Sequence, residues 1–206
     1  MAQQIFLIRH GATDWSESGR HTGRTDIPLN ARGRAAARRL RSRLRGLEFS
    51  RVFVSPRRRA GETCELAGLG ARAKIEPSLA EWDYGAYEGL RSPEILADRP
   101  RWNIFRDGCP GGESPAQVRT RADRLIARLR LLPGNVVLFT HGHFGRAFAV
   151  RWLGLPLREA QHLLLGTASL SILGYEPKPA GPPVISLWNE PGPAASSRPR
   201  PRASPP

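Results

Sequence analysis

Short unbroken apolar runs separated by helical patterns constrain this chain more than any other feature. Ile5-Phe6-Leu7-Ile8, Val52-Phe53-Val54 and Val136-Val137-Leu138-Phe139 offer no polar face to water, so each reads as a strand buried on both sides of a sheet. Asn30 is placed to cap a helix ending near Gly46, with Ala36, Leu40, Leu44 and Leu47 as its apolar stripe. Ser55 and Pro56 are expected as N-cap and first-turn residue of a second helix. Ser114-Pro115-Ala116-Gln117 is a capping box opening a third, whose core face is Val118, Ala122, Leu125 and Leu129. A helix over 143–153 and strands over 169–173 and 184–188 complete the pattern. Buried strands alternating with helices predict an α/β fold, a three-layer α/β/α sandwich on a mostly parallel sheet. From about 70 to 113 the periodicity fades into Gly, Pro, Trp and charged residues. That stretch is expected to be a cap or loop insertion over a strand-edge site, within one domain spanning 1–190. Residues 191–206 are Pro, Ala, Ser and Arg with nothing to bury, and are expected to be a disordered tail.

At 206 residues and 40% hydrophobic content the chain can bury a sizeable core. No apolar run approaches the about 20 residues of a membrane span. Met1-Ala2-Gln3-Gln4 has no basic region before the first apolar run, so no secretory signal is expected. Cys64 and Cys109 are too few for a disulfide framework and lack metal-ligand spacing. These features predict a cytoplasmic protein without a membrane partner, and carry no signal for an oligomeric state.

The formal net charge is +14, nearly all of the excess being arginine. Arg32, Arg34, Arg38, Arg39, Arg41, Arg43 and Arg45 lie in one acid-free stretch around the apolar stripe of the first helix. Nucleic-acid binding would call for interleaved aromatics or a recognisable binding motif, and neither accompanies this helix. It is read as a solvated face, with nucleic acid not the expected partner; the field still attracts anionic substrates.

Ligands of open α/β sheets bind beyond the carboxyl ends of strands. The first strand runs into Arg9-His10-Gly11 and the third into Thr140-His141-Gly142, while the second ends at Ser55-Pro56 followed by Arg57, Arg58 and Arg59. If these strands are neighbours, two histidines and two or more arginines converge on one crevice. Such a set suits phosphoryl transfer. A neutral imidazole attacks phosphorus and carries the group, while guanidinium forks stabilise the equatorial oxygens. No carboxylate cluster for Mg²⁺ is apparent, so neither metal nor cofactor is expected.

Arg9-His10-Gly11-Ala12-Thr13 resembles the RHG signature of the histidine phosphatase superfamily, the phosphoglycerate mutase-like family. Trp15, Gly19, Arg20, the run Thr22 to Leu29, and Gly33 are similar to its N-terminal pattern. Ser55 to Ala60 with Thr63 resembles the second arginine motif, Glu81 to Gly89 the general-acid segment, and Thr140 to His143 the second histidine motif. The resemblance covers residues 5 to about 175. It implies that His10 is the nucleophile and that Arg9 and Arg59 bind the phosphoryl oxygens. His141, protonated in that pocket, would stabilise the transferring group. Glu81 would protonate the leaving oxygen and later accept a proton from water, its pKa raised by desolvation in a cap containing Trp82 and Tyr84. Arg57, Arg58, His21, His143 and His162 are given no catalytic role, although His21 lies beside substrate-binding positions.

Two positions depart from the pattern. Ala12 stands where many members have Glu or Gln. Ser16 stands where many have an Asn that contacts phosphate, and it keeps a hydroxyl donor. The segment Arg101 to Ser114, with Trp15-Ser16 and Glu81 to Gly85, is similar to sedoheptulose-1,7-bisphosphatases and their short bacterial-type relatives. That likeness implies Thr22, Gly23 and Arg146 as substrate contacts beside Ser16, Tyr84 and Gly142. Cys109, with no basic partner apparent, is read as a loop-packing residue. The function implied is a metal-independent phosphoric monoester hydrolase of the histidine acid phosphatase type, acting on a small phosphorylated metabolite such as a sugar (bis)phosphate. A cofactor-dependent phosphoglycerate mutase uses the same site. A non-catalytic module binding RNA or protein through the arginine helix is the alternative from a different class.

Overall fold

In the computed structural model, which describes residues 3–178 and 181–191, the expected alternation forms a single six-stranded sheet of order β3-β2-β4-β1-β5-β6. In chain order the elements are β1 (Ile5–Arg9), α1 (Asp14–Glu17), α2 (Ala31–Leu44), β2 (Arg51–Val54), α3 (Arg58–Leu66) and β3 (Ala73–Ile75). They continue with α4 (Ser92–Asp98), α5 (Ile104–Asp107), α6 (Pro115–Arg130), β4 (Val136–Thr140), α7 (Gly142–Trp152), β5 (Leu170–Tyr175) and β6 (Pro183–Glu190). β1 to β4 pair in parallel, while β5 and β6 are antiparallel additions beyond β1. The expected tail lies outside the described residues except for Pro191. Among the described residues no helix is long and apolar enough to cross a membrane.

Strand alternation divides the apolar residues between two cores. Ile5 and Leu7 of β1 and Val136 and Leu138 of β4 face α6 and α7. Phe6, Ile8, Val137 and Phe139 face the other way, onto α2 and α3. Both runs are buried on both faces as expected, which makes the three layers.

α2 shows how a strongly cationic segment remains a helix. Asn30 Oδ1 accepts the Gly33 amide at 2.9 Å, as expected of an N-cap. The buried stripe is Gly33, Ala37, Leu40 and Leu44, so the expected positions Ala36 and Leu47 are displaced from it. Leu47 lies beyond the helix and is 39% exposed. Burying Leu40 and Leu44 contributes about 1.5–3 kcal/mol each. Like-charged pairs four apart, such as Arg34/Arg38 and Arg39/Arg43, oppose the helix by only about 0.2–0.5 kcal/mol each, so burial decides. Part of the basic face is also paired, Arg32 with Glu17 at 2.9 Å, Arg34 with Glu62 at 2.7 Å, and Arg43 with Glu190.

Two further expectations differ from the structure. Ser55 does not cap α3, whose N-cap is Arg57; its hydroxyl accepts the Arg57 amide at 3.3 Å and meets His141 at 2.6 Å. Within the stretch expected to be cap, Ala73–Ile75 is an edge strand paired with β2. The remainder of that stretch includes the 3-10 turns Pro77–Leu79 and Gly85–Tyr87 and the short helices α4 and α5.

The loop after β1 is anchored where Gly11 and Gly33 pass one another. A Cβ on Gly33 would lie 2.1 Å from the Ala12 carbonyl oxygen, and one on Gly11 2.6 Å from that of Gly33. Both obstacles are main chain, so neither can swing aside. Gly33→Ala is therefore expected to lower the free energy of unfolding by at least about 1–3 kcal/mol. Gly61→Ala, inside α3 where the added methyl meets nothing within 4 Å, should raise it by about 0.5–1 kcal/mol. Urea titration of the two variants beside the parent checks both signs.

Candidate active site

The parallel register of β1 and β4 sets Arg9 opposite Thr140, so the next residue of each strand, His10 and His141, leaves the sheet at the same level. Their rings lie 5.1 Å apart between centroids. The His10 amide donates to Thr140 O at 2.9 Å and its carbonyl accepts the Ala168 amide at 3.0 Å, which fixes the backbone on both sides. Its Nδ1 lies 2.7 Å from Gly11 O. A carbonyl only accepts, so Nδ1 carries the proton and Nε2 keeps a lone pair. Burial, and then the Arg59 and Arg9 charges, hold the His10 pKa well below the usual imidazole value.

Arg9 lines the same cleft. One terminal nitrogen donates to Leu165 O, and Nε is buried without a partner among the described residues. Gly142 permits this approach, because a Cβ there would sit 3.3 Å from the Arg9 guanidinium carbon.

Arg59 and His141 are fully buried behind the cleft wall rather than in it. Arg59 Nε donates to His141 Nδ1 at 3.2 Å, Nη1 to Thr25 O at 3.0 Å, and Nη2 to Thr22 O and Gly23 O at 2.8 and 3.2 Å. The His141 proton therefore sits on Nε2, which donates to Ser55 Oγ at 2.6 Å. The expected protonated His141 is not what the surroundings favour. Burial first, then Arg59, His10, Arg9 and Arg57, push its pKa well below normal. The charges around it are arginines, and neither ring nitrogen is free.

Glu81 meets α7 from outside. Its Oε1 accepts the amides of Trp82 at 2.9 Å and Phe144 at 2.7 Å, and Oε2 accepts that of His143 at 3.0 Å. The carboxyl thus lies on the positive end of the helix. Main-chain N–H groups line the carboxyl, and the Trp82 indole points elsewhere, donating to Glu113 O at 2.9 Å.

A cleft of about 250 Å³ is lined by Arg9, His10, Ser16, Thr22, Glu81, Tyr84, Gly142 and Arg146, all singled out in the sequence. Gly23 is not in the lining; its amide is taken by the Glu88 carboxylate at 2.8 Å and its carbonyl by Arg59. Ser16 lines the cleft with its hydroxyl already committed, donating to Thr13 O and accepting the Thr13 amide, both at 2.9 Å. The hydroxyl expected to donate to phosphate is thus a capping group. Arg146 donates to Ala160 O at 3.0 Å and Gln161 O at 3.2 Å, with its guanidinium 4.7 Å above Phe105.

Sequence reasoning missed Arg20, His21, Ser92 and His143 as cleft-lining residues. The adjacency of Arg20-His21 to Thr22 was the available signal. Tyr84 OH lies 2.6 Å from His143 Nδ1, and the His21 ring packs 4.8 Å from that of Tyr84. Burial pushes His21 down to about 4 and holds Tyr84 well above its normal value. Arg58 is exposed and His162 lies on the 3-10 turn Leu157–His162, outside the lining. Cys109 is buried with its thiol pushed up to about 12 by desolvation, which suits a packing residue. Among the described residues no group of three or more His, Cys, Asp or Glu is placed to hold a metal ion.

Comparison with known proteins agrees with this architecture. An acid phosphatase of Mycobacterium tuberculosis is 44% identical over 94% of this chain and 97% of its own. A sedoheptulose 1,7-bisphosphatase of Saccharomyces cerevisiae is 36% identical over 77% of this chain and 70% of its own. A solved Mycobacterium tuberculosis structure superposes with a TM-score of 0.86 at 42% identity, covering 92% of this chain and 98% of that one. The model of the histidine phosphatase superfamily (branch 1) matches residues 5–191, and the chain belongs to that family.

Proposed function

We propose that this chain is a phosphoric monoester hydrolase working through a phosphohistidine on His10, with a small phosphorylated metabolite such as a sugar (bis)phosphate as substrate. The observation that carries this reading is the His10 ring, whose Nδ1–H is fixed on Gly11 O while its surroundings keep it uncharged. The Nε2 lone pair attacks phosphorus and the N–P bond forms. The bridging P–O bond breaks, and its electron pair takes the proton of the Glu81 carboxyl. Glu81 Oε2 receives one main-chain donor against two on Oε1, which leaves Oε2 the lone pair to carry that proton. Water then attacks phosphorus, its proton passes to Glu81, and the N–P pair returns to Nε2.

Arg9 and the Gly142 amide at the head of α7 offer donors to the equatorial oxygens. Arg59 acts from behind, through its charge and its hold on His141. A cleft of about 250 Å³ suits a small metabolite. The sugar bisphosphate class is supported by the likeness to the yeast bisphosphatase and by two more arginines, Arg20 and Arg146, in the cleft.

His10→Ala is expected to lower kcat/KM by more than about 10³-fold and to abolish the phosphorylated protein seen by intact mass after alkaline quench. Phosphate release would be assayed from p-nitrophenyl phosphate, sedoheptulose 1,7-bisphosphate, fructose 1,6-bisphosphate and 3-phosphoglycerate. Isomerisation of 3-phosphoglycerate with added bisphosphoglycerate, and no phosphate release, would make the chain a mutase instead.

Because the His10 pKa is depressed, the nucleophile stays neutral where an ordinary imidazole charges. The acid limb of kcat/KM is expected well below pH 6.5, with activity retained at about pH 5.5 where a free imidazole is about nine-tenths protonated. The profile is to be corrected for substrate ionisation near pH 6.

The same burial sets stability. His10, His21, His141 and His143 all have lowered pKa values in the folded chain, so the unfolded chain binds protons first as the pH falls. Stability is full above about pH 6.5 and declines below it. His21, from 6.5 to about 4, accounts for about 3 kcal/mol of that loss. His21→Phe, which keeps a ring against Tyr84 and Trp102, should flatten the decline between pH 6.5 and 4 by about 1.4 kcal/mol per pH unit. Urea titrations at several pH values measure it.

A further inference from the structure

The segment bearing Glu81 has no regular partner strand, yet it must hold a carboxyl against a reacting oxygen. Two residues outside the cleft hold it. Arg121 of α6 forks onto Glu113, Nε to Oε1 at 3.0 Å and Nη2 to Oε2 at 2.8 Å. Its remaining donors reach the main chain before and at the acid: Nη1 to Ser78 O at 2.9 Å and Ala80 O at 2.7 Å, and Nη2 to Glu81 O at 3.5 Å. All five guanidinium hydrogens are engaged. The flat of the same group lies 4.2 Å from the centre of the Phe144 ring, whose own amide holds Glu81 Oε1.

Glu113 secures the carboxyl side. Its Oε2 accepts the Asp83 amide at 3.0 Å, its amide donates to Asp83 O at 2.9 Å, and its carbonyl accepts the Trp82 indole N–H at 2.9 Å. Main chain from Ser78 to Asp83 is therefore tied at successive points to one ion pair whose side chains are only 18% and 22% exposed. A bidentate pair so shielded is directional and stiff, unlike an open surface pair.

The geometry points to Arg121 and Glu113 as positioning residues for proton donation to the leaving oxygen, acting through Glu81. Neither lines the cleft, so neither touches substrate. The inference rests on the proposed general-acid role of Glu81. It has a consequence that plain structural support lacks. An alkoxide leaving from a sugar phosphate needs the proton as the P–O bond breaks, whereas p-nitrophenolate leaves without it. Misplacing the acid by a fraction of an ångström should therefore slow one substrate more than the other.

The test compares kcat/KM for a sugar phosphate and for p-nitrophenyl phosphate, which reports phosphorylation of the enzyme and not the later attack of water. Glu113→Gln and Arg121→Lys are measured beside Glu81→Gln, each checked for folding by circular dichroism and thermal melting. The expected result is a loss on the sugar phosphate about tenfold or more greater than that on p-nitrophenyl phosphate in both positioning variants, with a larger bias of the same sign in Glu81→Gln. Equal losses on both substrates in Glu113→Gln and Arg121→Lys, with the bias present in Glu81→Gln, would overturn the inference. Absence of the bias in Glu81→Gln itself would instead overturn the general-acid reading. If one positioning variant does not fold, the other gives the same ratio.

Discussion

Everything at the carboxyl edge of the sheet depends on β1 pairing in parallel with β4. The pairing ends with Arg9 opposite Thr140, and the ladder extends one bond further, from the His10 amide to Thr140 O. Parallel neighbours place successive strand ends on one edge, so a residue just past one strand meets its counterpart past the next. Two histidines 131 positions apart in sequence become ring neighbours without any loop having to reach. A slip of β1 by one residue would turn Leu7 away from α6 and α7 and carry His10 out of register with His141.

The site then inverts an intuition about charge. Arginines usually signal a place where other groups become charged in response, but buried beside histidines they hold the imidazoles neutral. Desolvation and cationic neighbours act in the same direction on His10 and His141. For the proposed nucleophile this is useful, because only the uncharged ring has a lone pair to give. The cost appears in acid, where an unfolded chain takes up protons that the folded one refuses. Nucleophilicity and acid sensitivity are thus two consequences of one burial.

Elements whose signal was local were legible in the sequence. The double-sided apolar runs gave β1, β2 and β4, and the Ser114 box with its stripe gave α6, because burial and capping are written in neighbouring residues. What was illegible depended on tertiary competition. Ser55 has every local feature of an N-cap, yet the helix opens only at Arg58, and the hydroxyl accepts the His141 ring N–H at 2.6 Å beside the Arg57 amide at 3.3 Å. Ala73-Lys74-Ile75 is too short and too exposed to show alternation, with Ile75 70% exposed on the edge. In the site, the motif order placed His10, Arg9 and Glu81 together, and all three line one cleft. The Arg121–Glu113 fork joins a residue two positions ahead of α6 to the second turn of that helix, and its significance lies in carbonyls that no side-chain pattern reports.

Arg59 shows why hydrogen bonds and function need not coincide at one group. Its donors are occupied by His141 and by carbonyls of residues 22–25, so it presents no obvious fork to an anion. Under the proposed reaction it does not need one. At an effective dielectric near 20, the attraction between a fixed cation and a nearby negative charge is still about fourfold stronger than in bulk water. Charge that accumulates on the transferring phosphoryl group gains from a guanidinium held still by four acceptors more than from one that must be recruited, because no reorganisation accompanies the step. The hydrogen bonds that withdraw Arg59 from the cleft are therefore the ones that make its charge a fixed part of it.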